Sequence, residues 1–342
     1  MIKFVKNRPY LRYLLKKLFW YSLAFVVAVA LNFFLPRLIP GNPVAVIIGQ
    51  MAVGGVPSAA LERLYATFMR EFGLDQPLYV QFWNYLTGVL QGDLGTSFML
   101  FPTPVWDVIL RALPWTIALQ IPAILVGWIL GNLLGAMAAY KGGRFDRSVF
   151  TGALIFSNIP YYCLAIILVY LLAIYLPIFP AAGGYSFGLF PEWSLTFFLD
   201  ALYHYTLPFF SLVLVSIGAW AIGMREMAIY ELNTDYINYA KKLGVSDRKV
   251  VRYVFRNAML PQITGLAISF GTLVGGALVT EAVFSYPGLG SLLFTAIRQS
   301  DYPLIQGITL IITITVLLAN FLVDIAYGYI DPRIRAAQAG ER

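Results

Sequence analysis

Six stretches of the chain contain no Asp, Glu, Lys or Arg and are long enough to cross a lipid bilayer. They cover residues 18–36, 112–140, 148–191, 201–224, 257–280 and 302–323. A helix needs roughly 20 apolar residues to span a hydrocarbon core of about 30 Å, where its backbone groups must bond within the helix. The pattern therefore predicts an all-α membrane protein with six transmembrane helices.

The third stretch is long enough for two helices, but its second half is rich in Pro and Gly. That half contains Pro177, Pro180, Gly183, Gly184 and Pro191. Since these residues at this density are typical of loops, we predict one span to about residue 175, followed by a loop. Residues 192–203 are predicted to form an amphipathic helix at the membrane interface.

One sizeable hydrophilic region, residues 37–111, separates the first two spans. Gly, Asp and Pro clusters mark turns in it, and residues 61–72 alternate apolar and charged positions like a short surface helix. Its length suits a small cap rather than a catalytic domain. The predicted divisions are a basic segment 1–17, a first span 18–36, the extracytoplasmic segment 37–111, a five-helix core 112–330 and a tail 331–342.

Composition narrows the class of protein further. Of 342 residues, 59% are apolar or aromatic and only 12% are charged, whereas a soluble domain carries about 25% charged residues. This excludes a soluble enzyme, a disordered chain and a nucleic-acid-binding domain. The single Cys and single His exclude a disulfide framework and disfavour a metal site. The absence of any Gly-Lys dipeptide excludes a phosphate-binding P-loop.

Lys and Arg are distributed unevenly between the two sides of the predicted helices. Of 24, six lie in 1–17, three in 140–148, seven in 225–257 and three after residue 330, which leaves five for the other side. Basic residues are enriched in cytoplasmic loops. Both termini and both basic loops are therefore predicted to be cytoplasmic, and the net charge of +7 reflects orientation.

Small residues recur at four-residue intervals in two of the spans. Gly127, Gly131 and Gly135 do so in the second, and Gly271 and Gly275 in the fifth. This spacing lets helices approach closely, so packing is favoured over a substrate contact. A Gly-Gly pair at 275–276 also leaves that span able to bend.

Ionisable groups are almost missing from the spans. An ion-coupled carrier usually buries such groups at mid-membrane, whereas here Glu281 ends the fifth span and Asp324 lies late in the sixth. The role of Glu281 stays open. His204, near the outer start of the fourth span, is interpreted as an interfacial packing residue, with a substrate contact as the alternative.

The most informative segment connects the fourth and fifth spans. Asn233, Thr234 and Asp235 are suited to cap a short helix, which Gly244 would end. The pair Ser246–Asp247 is suited to cap a second helix, and Pro261 marks the start of the next membrane span. Two short helices around a glycine turn predict a rigid knob at the membrane surface.

This segment resembles the cytoplasmic "EAA" loop of permease subunits in binding-protein-dependent ABC importers, closest to the dipeptide, oligopeptide and nickel branch. The resemblance continues along nearly the whole chain. Matching motifs are P-G-N-P at 40–43, G-L-D-Q-P at 73–77, G-D-L-G at 92–95, A-A-Y-K at 138–141, D-R at 146–147, Y-P-G-L-G at 286–290 after Glu281 and Phe284, D-Y-P at 301–303, Q-G at 306–307 and D-P-R at 331–333.

Two departures from the family pattern matter. The Glu and Ala that precede Ala240 in the consensus are Asn238 and Tyr239 here, so an acidic contact is not carried over. The aspartate of the family's P-G-D-P is Asn42, and any role of that charge is lost.

The resemblance implies a type I ABC importer permease fold in a prokaryotic inner or plasma membrane. It implies partners as well: a second homologous permease subunit, identical or different, two cytoplasmic ATPases and an extracytoplasmic substrate-binding protein. The chain would bind lipid but no cofactor or metal, ATP-Mg being held by the ATPases. The ATPase-coupling loop, within 233–257 and its flank, would comprise Asp235, Tyr236, Ala240, Gly244, Arg256, Asn257 and Pro261.

Substrate class follows less directly. Members of this branch mostly carry peptides, and some carry oligosaccharides or nickel. Aromatic residues around the third outer loop suit sugars but are also normal at a membrane interface. Short peptides are therefore favoured over oligosaccharides or nickel, an ion-coupled secondary transporter is disfavoured, and the pathway-lining residues stay undefined.

Overall fold

Helices account for most of the chain that the computed structural model describes, which comprises residues 9–38, 41–53, 57–271 and 277–330. In chain order they are α1 (Pro9–Arg37), α2 (Pro43–Val53), α3 (Ser58–Glu71), α4 (Leu78–Gln91), α5 (Val105–Lys141), α6 (Gly143–Ser157), α7 (Tyr161–Leu168), α8 (Leu195–Leu232), α9 (Asp235–Lys242), α10 (Asp247–Gly271), α11 (Leu278–Val283), α12 (Leu289–Arg298) and α13 (Tyr302–Ile330). A π-helical segment, Val169–Tyr175, continues α7. The predicted all-α fold is confirmed, including a surface helix, α3, where residues 61–72 predicted one.

Several predictions concern residues outside these ranges. They are the basic residues before Pro9, Pro40 of the P-G-N-P motif, the Gly-Gly pair at 275–276, the D-P-R motif and the tail 331–342.

Within the described ranges, four helices are long and apolar enough to cross a membrane: Leu15–Arg37 of α1, then α5, α8 and Tyr302–Leu322 of α13. The pair formed by α6 and the run Tyr161–Tyr175 would add a fifth if it counts as one broken span. The remaining predicted span, 257–280, begins inside α10 and extends past its described end. These helices agree with a multi-pass membrane protein.

The predicted third span is broken, because the chain turns by 95° between Ser157 and Tyr161. Pro160 precedes α7 in an extended conformation, with ψ of 143°. A residue before proline is disfavoured in the helical region, and Pro160 itself supplies no N–H to α6. The sequence before residue 175 therefore forms two helices joined at an angle.

The predicted helix over 192–203 is helical from Leu195 onward, but it is not a separate element. The side chain of Ser194 caps α8 by accepting a hydrogen bond from Phe197 N at 3.2 Å. From there α8 runs without a break for 38 residues, through Pro208. Residues 195–203 are therefore the first turns of the long helix, and only the residues before Ser194 remain loop.

The chain forms two compact units, Met1–Trp115 with Gly288–Arg342, and Thr116–Pro287. In the first unit α1 packs along α13. Asn32 Nδ2 donates to Gln306 O at 2.8 Å, and the Thr309 hydroxyl donates to Asn32 Oδ1. Nearer the start of α1, Lys17 Nζ lies 2.9 Å from Asp324 Oδ2. The late Asp324 is therefore paired rather than exposed to lipid as an isolated charge.

Asp301 fastens the hydrophilic segment of the first unit to the start of α13. Its fully buried carboxylate accepts hydrogen bonds from Ser97 Oγ at 2.6 Å, Met99 N at 2.9 Å and Leu304 N at 3.1 Å. A buried carboxylate is costly unless it is hydrogen-bonded. Three donors on two segments meet that need and hold the segments together.

In the second unit the glycine repeat of α5 brings that helix against α8. A Cβ atom at Gly131 would lie 2.8 Å from Ile217 O, and one at Gly135 would overlap Ala221 O. Both neighbours are backbone atoms of α8, so the two helices approach until only glycine fits. The predicted packing role of this repeat is confirmed.

The loop before α8 is tied to the first turns of that helix. Asp200 accepts hydrogen bonds from Ser186 N and Ser186 Oγ, both at 2.6 Å. His204 is buried, and its Nδ1 lies 3.0 Å from Asp200 O. The imidazole thus packs within its own helix, as its packing interpretation requires.

Glu281 is fully buried in α11.

Candidate functional site

Residues 233–257, which include the short helix α9 and the first turns of α10, are called here the α9 loop. Its short helix α9 has only eight residues, and an isolated helix of that length is not stable in water. Ile237, fully buried, anchors it. The side chains that form one cluster with Ile237 are Met224, Ala228, Val250, Val254 and Ala258. Burying an Ile side chain contributes about 1.5–3 kcal/mol, so packing fixes α9 against α8 and α10.

Gly244 ends α9 in a left-handed conformation, with φ of +76°. The N–H of Gly244 bonds to Lys241 O at 3.0 Å, and the N–H of Val245 bonds to Ala240 O at 3.1 Å. These two bonds form the Schellman motif, which satisfies carbonyls at a helix end and favours glycine there. The predicted role of Gly244 as the helix stop is confirmed, and Ala240 supplies one of the carbonyls.

The start of α9 differs from its prediction. Thr234 occupies the N-cap position, but its side chain makes no capping bond. Its hydroxyl instead donates to Glu231 O at 2.6 Å, while Asn233 Nδ2 donates to Ile229 O at 3.0 Å. Both side chains therefore satisfy carbonyls at the end of α8. Asp235 lies in the first turn of α9, where a negative charge is favoured by the helix dipole.

The outward face of α9 carries large apolar side chains. Tyr236, Tyr239 and Leu243 are 43%, 64% and 65% exposed. Their spacing of three and four residues places them on one face of the helix, opposite the buried Ile237. The sequence analysis missed Tyr239 and Leu243 as site residues. The one signal in the sequence is that α9 carries apolar side chains on more than one face, whereas a surface helix needs them only on its buried face.

A polar cluster joins α8, α9 and α10 near the N-terminal end of α9. Tyr236 OH donates to Glu231 Oε2 at 2.6 Å, and Asn257 Nδ2 donates to Tyr236 OH at 2.7 Å. Partial burial, and then the hydrogen bond to the Glu231 carboxylate, raise the pKa of Tyr236, so the phenol stays protonated and can donate. Tyr236, Arg256 and Asn257 line one hollow together with Tyr253 and Leu260.

The structure thus gathers Tyr236, Arg256 and Asn257, whereas Ala240 and Gly244 lie at the far end of α9. Pro261 does not begin a separate membrane helix, because α10 continues through it from Asp247 to Gly271. Proline removes one N–H, which leaves the Asn257 carbonyl without its usual helical partner. The predicted second short helix and the part of the predicted fifth span up to Gly271 therefore belong to one helix.

An ion pair that the sequence analysis does not assign supports α8 close to the α9 loop. Arg225 of α8 contacts Asp146 of α6 through two bonds, Nε–Oδ1 at 2.5 Å and Nη2–Oδ2 at 2.6 Å. The same guanidinium lies 4.5 Å from the ring centre of Phe150. Two-pronged pairs of this kind fix geometry as well as charge. Arg225 directly follows Met224, a member of the cluster around Ile237.

One other stretch, residues 184–188, spells the G-x-S-x-G motif of hydrolase nucleophile elbows. Such an elbow is a strand-to-helix turn whose serine is activated by histidine. Here Ser186 lies in an irregular loop, and its hydroxyl donates to the Asp200 carboxylate. Because Ser186 bonds to the acid and not to His204, the arrangement gives no basis for nucleophilic catalysis.

Comparison with known families matches nearly the whole chain. Residues 131–336, which include the α9 loop, match the family described as "Binding-protein-dependent transport system inner membrane component". Residues 10–120 match the N-terminal region of the same class of membrane components.

Individual relatives agree with the family match. The di/tripeptide transport system permease protein of Pseudomonas aeruginosa is 35% identical over 89% of this chain and 93% of its own length. The dipeptide transport system permease protein of Escherichia coli is 32% identical over 95% and 99%. The glutathione transport system permease protein of Salmonella typhimurium is 34% identical over 95% and 99%. With its apolar helices, this chain therefore belongs to the inner-membrane permease components of binding-protein-dependent transport systems.

Proposed function

We propose that this protein is one half of the translocation pathway of an ATP-driven importer for short peptides. A second homologous permease subunit supplies the other half, two ATPases in the cytoplasm bind and hydrolyse ATP-Mg, and an extracytoplasmic binding protein delivers the substrate. The chain itself binds no cofactor. The names of its relatives, which include two transporters of small peptides and one of glutathione, support the substrate class.

The observation that carries this proposal is the construction of the α9 loop. Its inner side is fixed by Ile237, its end by the Gly244 motif, and its outer face presents Tyr236, Tyr239 and Leu243. Exposed aromatic and aliphatic side chains on a rigid support are typical of a protein-binding surface. We assign the ATPase as the protein that binds this surface. The α9 loop is fixed firmly enough to transmit a movement of the ATPase to the membrane helices.

A transmitted movement requires that the ATPases bind two states of the permease with different affinities. ATP closes the ATPase pair, and the α9 loop moves with the surface that holds it. The pathway then changes from inward- to outward-facing. Binding of the ATPases can therefore drive this conformational change only if the α9 loop keeps its structure while it moves.

Orientation gives a direct prediction. The distribution of basic residues supports a cytoplasmic position for the α9 loop and residues 141–147, and an external position for 61–107. In a Cys163→Ala background, a Ser246→Cys variant should resist a membrane-impermeant thiol reagent in intact cells and react after lysis. A matched Glu62→Cys variant on the exposed side of α3 should react in intact cells. Strong labelling of Ser246→Cys before lysis would refute this orientation.

The function itself is tested in proteoliposomes with radiolabelled L-alanyl-L-alanine. Permease pair, ATPases and binding protein together should accumulate the peptide only when ATP is supplied. The permease alone should neither hydrolyse ATP nor accumulate peptide. Accumulation by the permease alone under an ion gradient would favour a secondary transporter, and ATP-driven uptake of oligosaccharide but not peptide would reassign the substrate.

A further inference from the structure

A cavity of about 230 Å³ lies within the second unit, among α5, α7, α8, α10 and the start of α11. Pockets for drug-sized ligands measure about 300–1,000 Å³, so this cavity suits one small group. Among the described residues, those that line it carry no formal charge. The polar lining comes from Gln120, Tyr161, Ser216, Trp220 and Ser269, and the remainder is aliphatic.

Gln120 is the exceptional side chain in this lining. It belongs to the membrane-spanning part of α5 and is only 4% exposed. Its Nε2 has no hydrogen-bond partner within the described parts of the chain. A buried amide without a partner costs about 1–3 kcal/mol. The side chain therefore borders the cavity with an amide whose hydrogen-bonding capacity is unmet.

Neighbouring glycines hold the cavity wall in place. A Cβ atom at Gly127 would lie 2.7 Å from Ser216 Cβ, and one at Gly265 would lie 2.8 Å from Trp220 Cη2. Ser216 and Trp220 can take their positions only because these glycines carry no side chain. Close packing at these two glycines thus forms part of the cavity wall.

We infer that Gln120 contacts the substrate during translocation, its side-chain amide donating a hydrogen bond to a peptide carbonyl oxygen. This inference rests on the proposed peptide importer. A neutral donor among aliphatic and aromatic side chains matches the uncharged middle of a short peptide. The cavity lining offers no opposite charge to the charged ends of the peptide.

The test uses the complete reconstituted transporter and two probes. One is L-alanyl-L-alanine, and the other is its thioxo analogue, in which a weakly accepting sulfur replaces the peptide oxygen. The measured quantity is the ratio of the two ATP-driven uptake rates. Gln120→Met keeps the length of the side chain but removes the donor, and Gln120→Leu provides a second variant without a donor. The ratio in each variant is compared with that of the wild type, which cancels the preference of the binding protein.

Loss of one neutral hydrogen bond should reduce the oxo-to-thioxo ratio about three- to tenfold in both variants. Ser211→Ala is the matched control, because Ser211 is buried on α8, bonds to Pro208 O of its own helix and does not line the cavity. Its ratio should equal that of the wild type.

An unchanged ratio in both Gln120 variants would overturn the inference, even if their uptake rates fell, because damage to the fold does not discriminate oxygen from sulfur. Failure of the wild type to accumulate either peptide would instead overturn the peptide importer, and the inference with it.

Discussion

Gly244→Asp should leave the protein folded and inserted in the membrane, while transport falls roughly tenfold or more. The backbone cost is small: a side chain at a left-handed position costs about 1 kcal/mol, and aspartate tolerates that region better than most residues. A Cβ atom at residue 244 would meet no atom of this chain within 4 Å. In the proposed mechanism the loss arises on the ATPase side, where an acidic group would enter the docking surface.

Gly92→Asp is the matched control for this substitution. Gly92 also ends a helix, α4, in the left-handed conformation, with φ of +78°, and has open space around its Cβ position, but it lies outside the α9 loop. It should carry the same backbone cost and transport normally. Lys241→Ala, which removes an exposed charge, should also cost little.

Copurification of the ATPases and substrate-stimulated ATP turnover give the readout for Gly244→Asp. Normal values for both would show that the α9 loop is not the coupling element.

Gly135→Ala should destabilise the protein, although alanine is ordinarily the better helix former by about 1 kcal/mol. The added methyl group would overlap Ala221 O and lie 3.0 Å from Arg225 N, both in the backbone of α8. The two helices must then separate, and overpacking of this kind typically costs about 1–3 kcal/mol. Arg225 would shift with its backbone, which weakens its ion pair with Asp146.

Gly152→Ala makes the same chemical change within α6, where a Cβ atom would meet nothing within 4 Å. Thermal unfolding of the detergent-solubilised protein, followed by fluorescence-detected size exclusion, should show a lower midpoint for Gly135→Ala only. Equal midpoints for the two variants would mean that α5 and α8 do not require this close approach.

Charge-free stretches predicted the membrane helices because burial in lipid excludes charge, a constraint visible in composition alone. The same criterion misplaced the boundaries of these helices. Nothing in a run of apolar residues distinguishes the 95° turn before Tyr161 from a straight span, and Ser194 is recognisable as a cap only once α8 is known to begin there.

At the candidate site, Gly244 was predictable because its left-handed conformation is a local property of one residue type. Tyr239 and Leu243 were not, since the exposed face of α9 depends on which side Ile237 buries. Gln120 could not be found either. One glutamine in an apolar helix gives no indication of whether its amide has a partner, which depends on neighbours distant in the chain.

The continuity of α10 through Pro261 gives the α9 loop mechanical leverage over the membrane interior. From Asp247, within the α9 loop, to Ser269, in the cavity wall, the helix is continuous over about 33 Å. A load applied at the α9 loop is therefore delivered to the cavity without an intervening joint of loop residues. Pro261, which lacks one stiffening hydrogen bond, is the point of greatest compliance along the helix. The stiffness of the helix at Pro261, rather than any contact with substrate, would determine how much of a movement of the α9 loop is transmitted to the cavity.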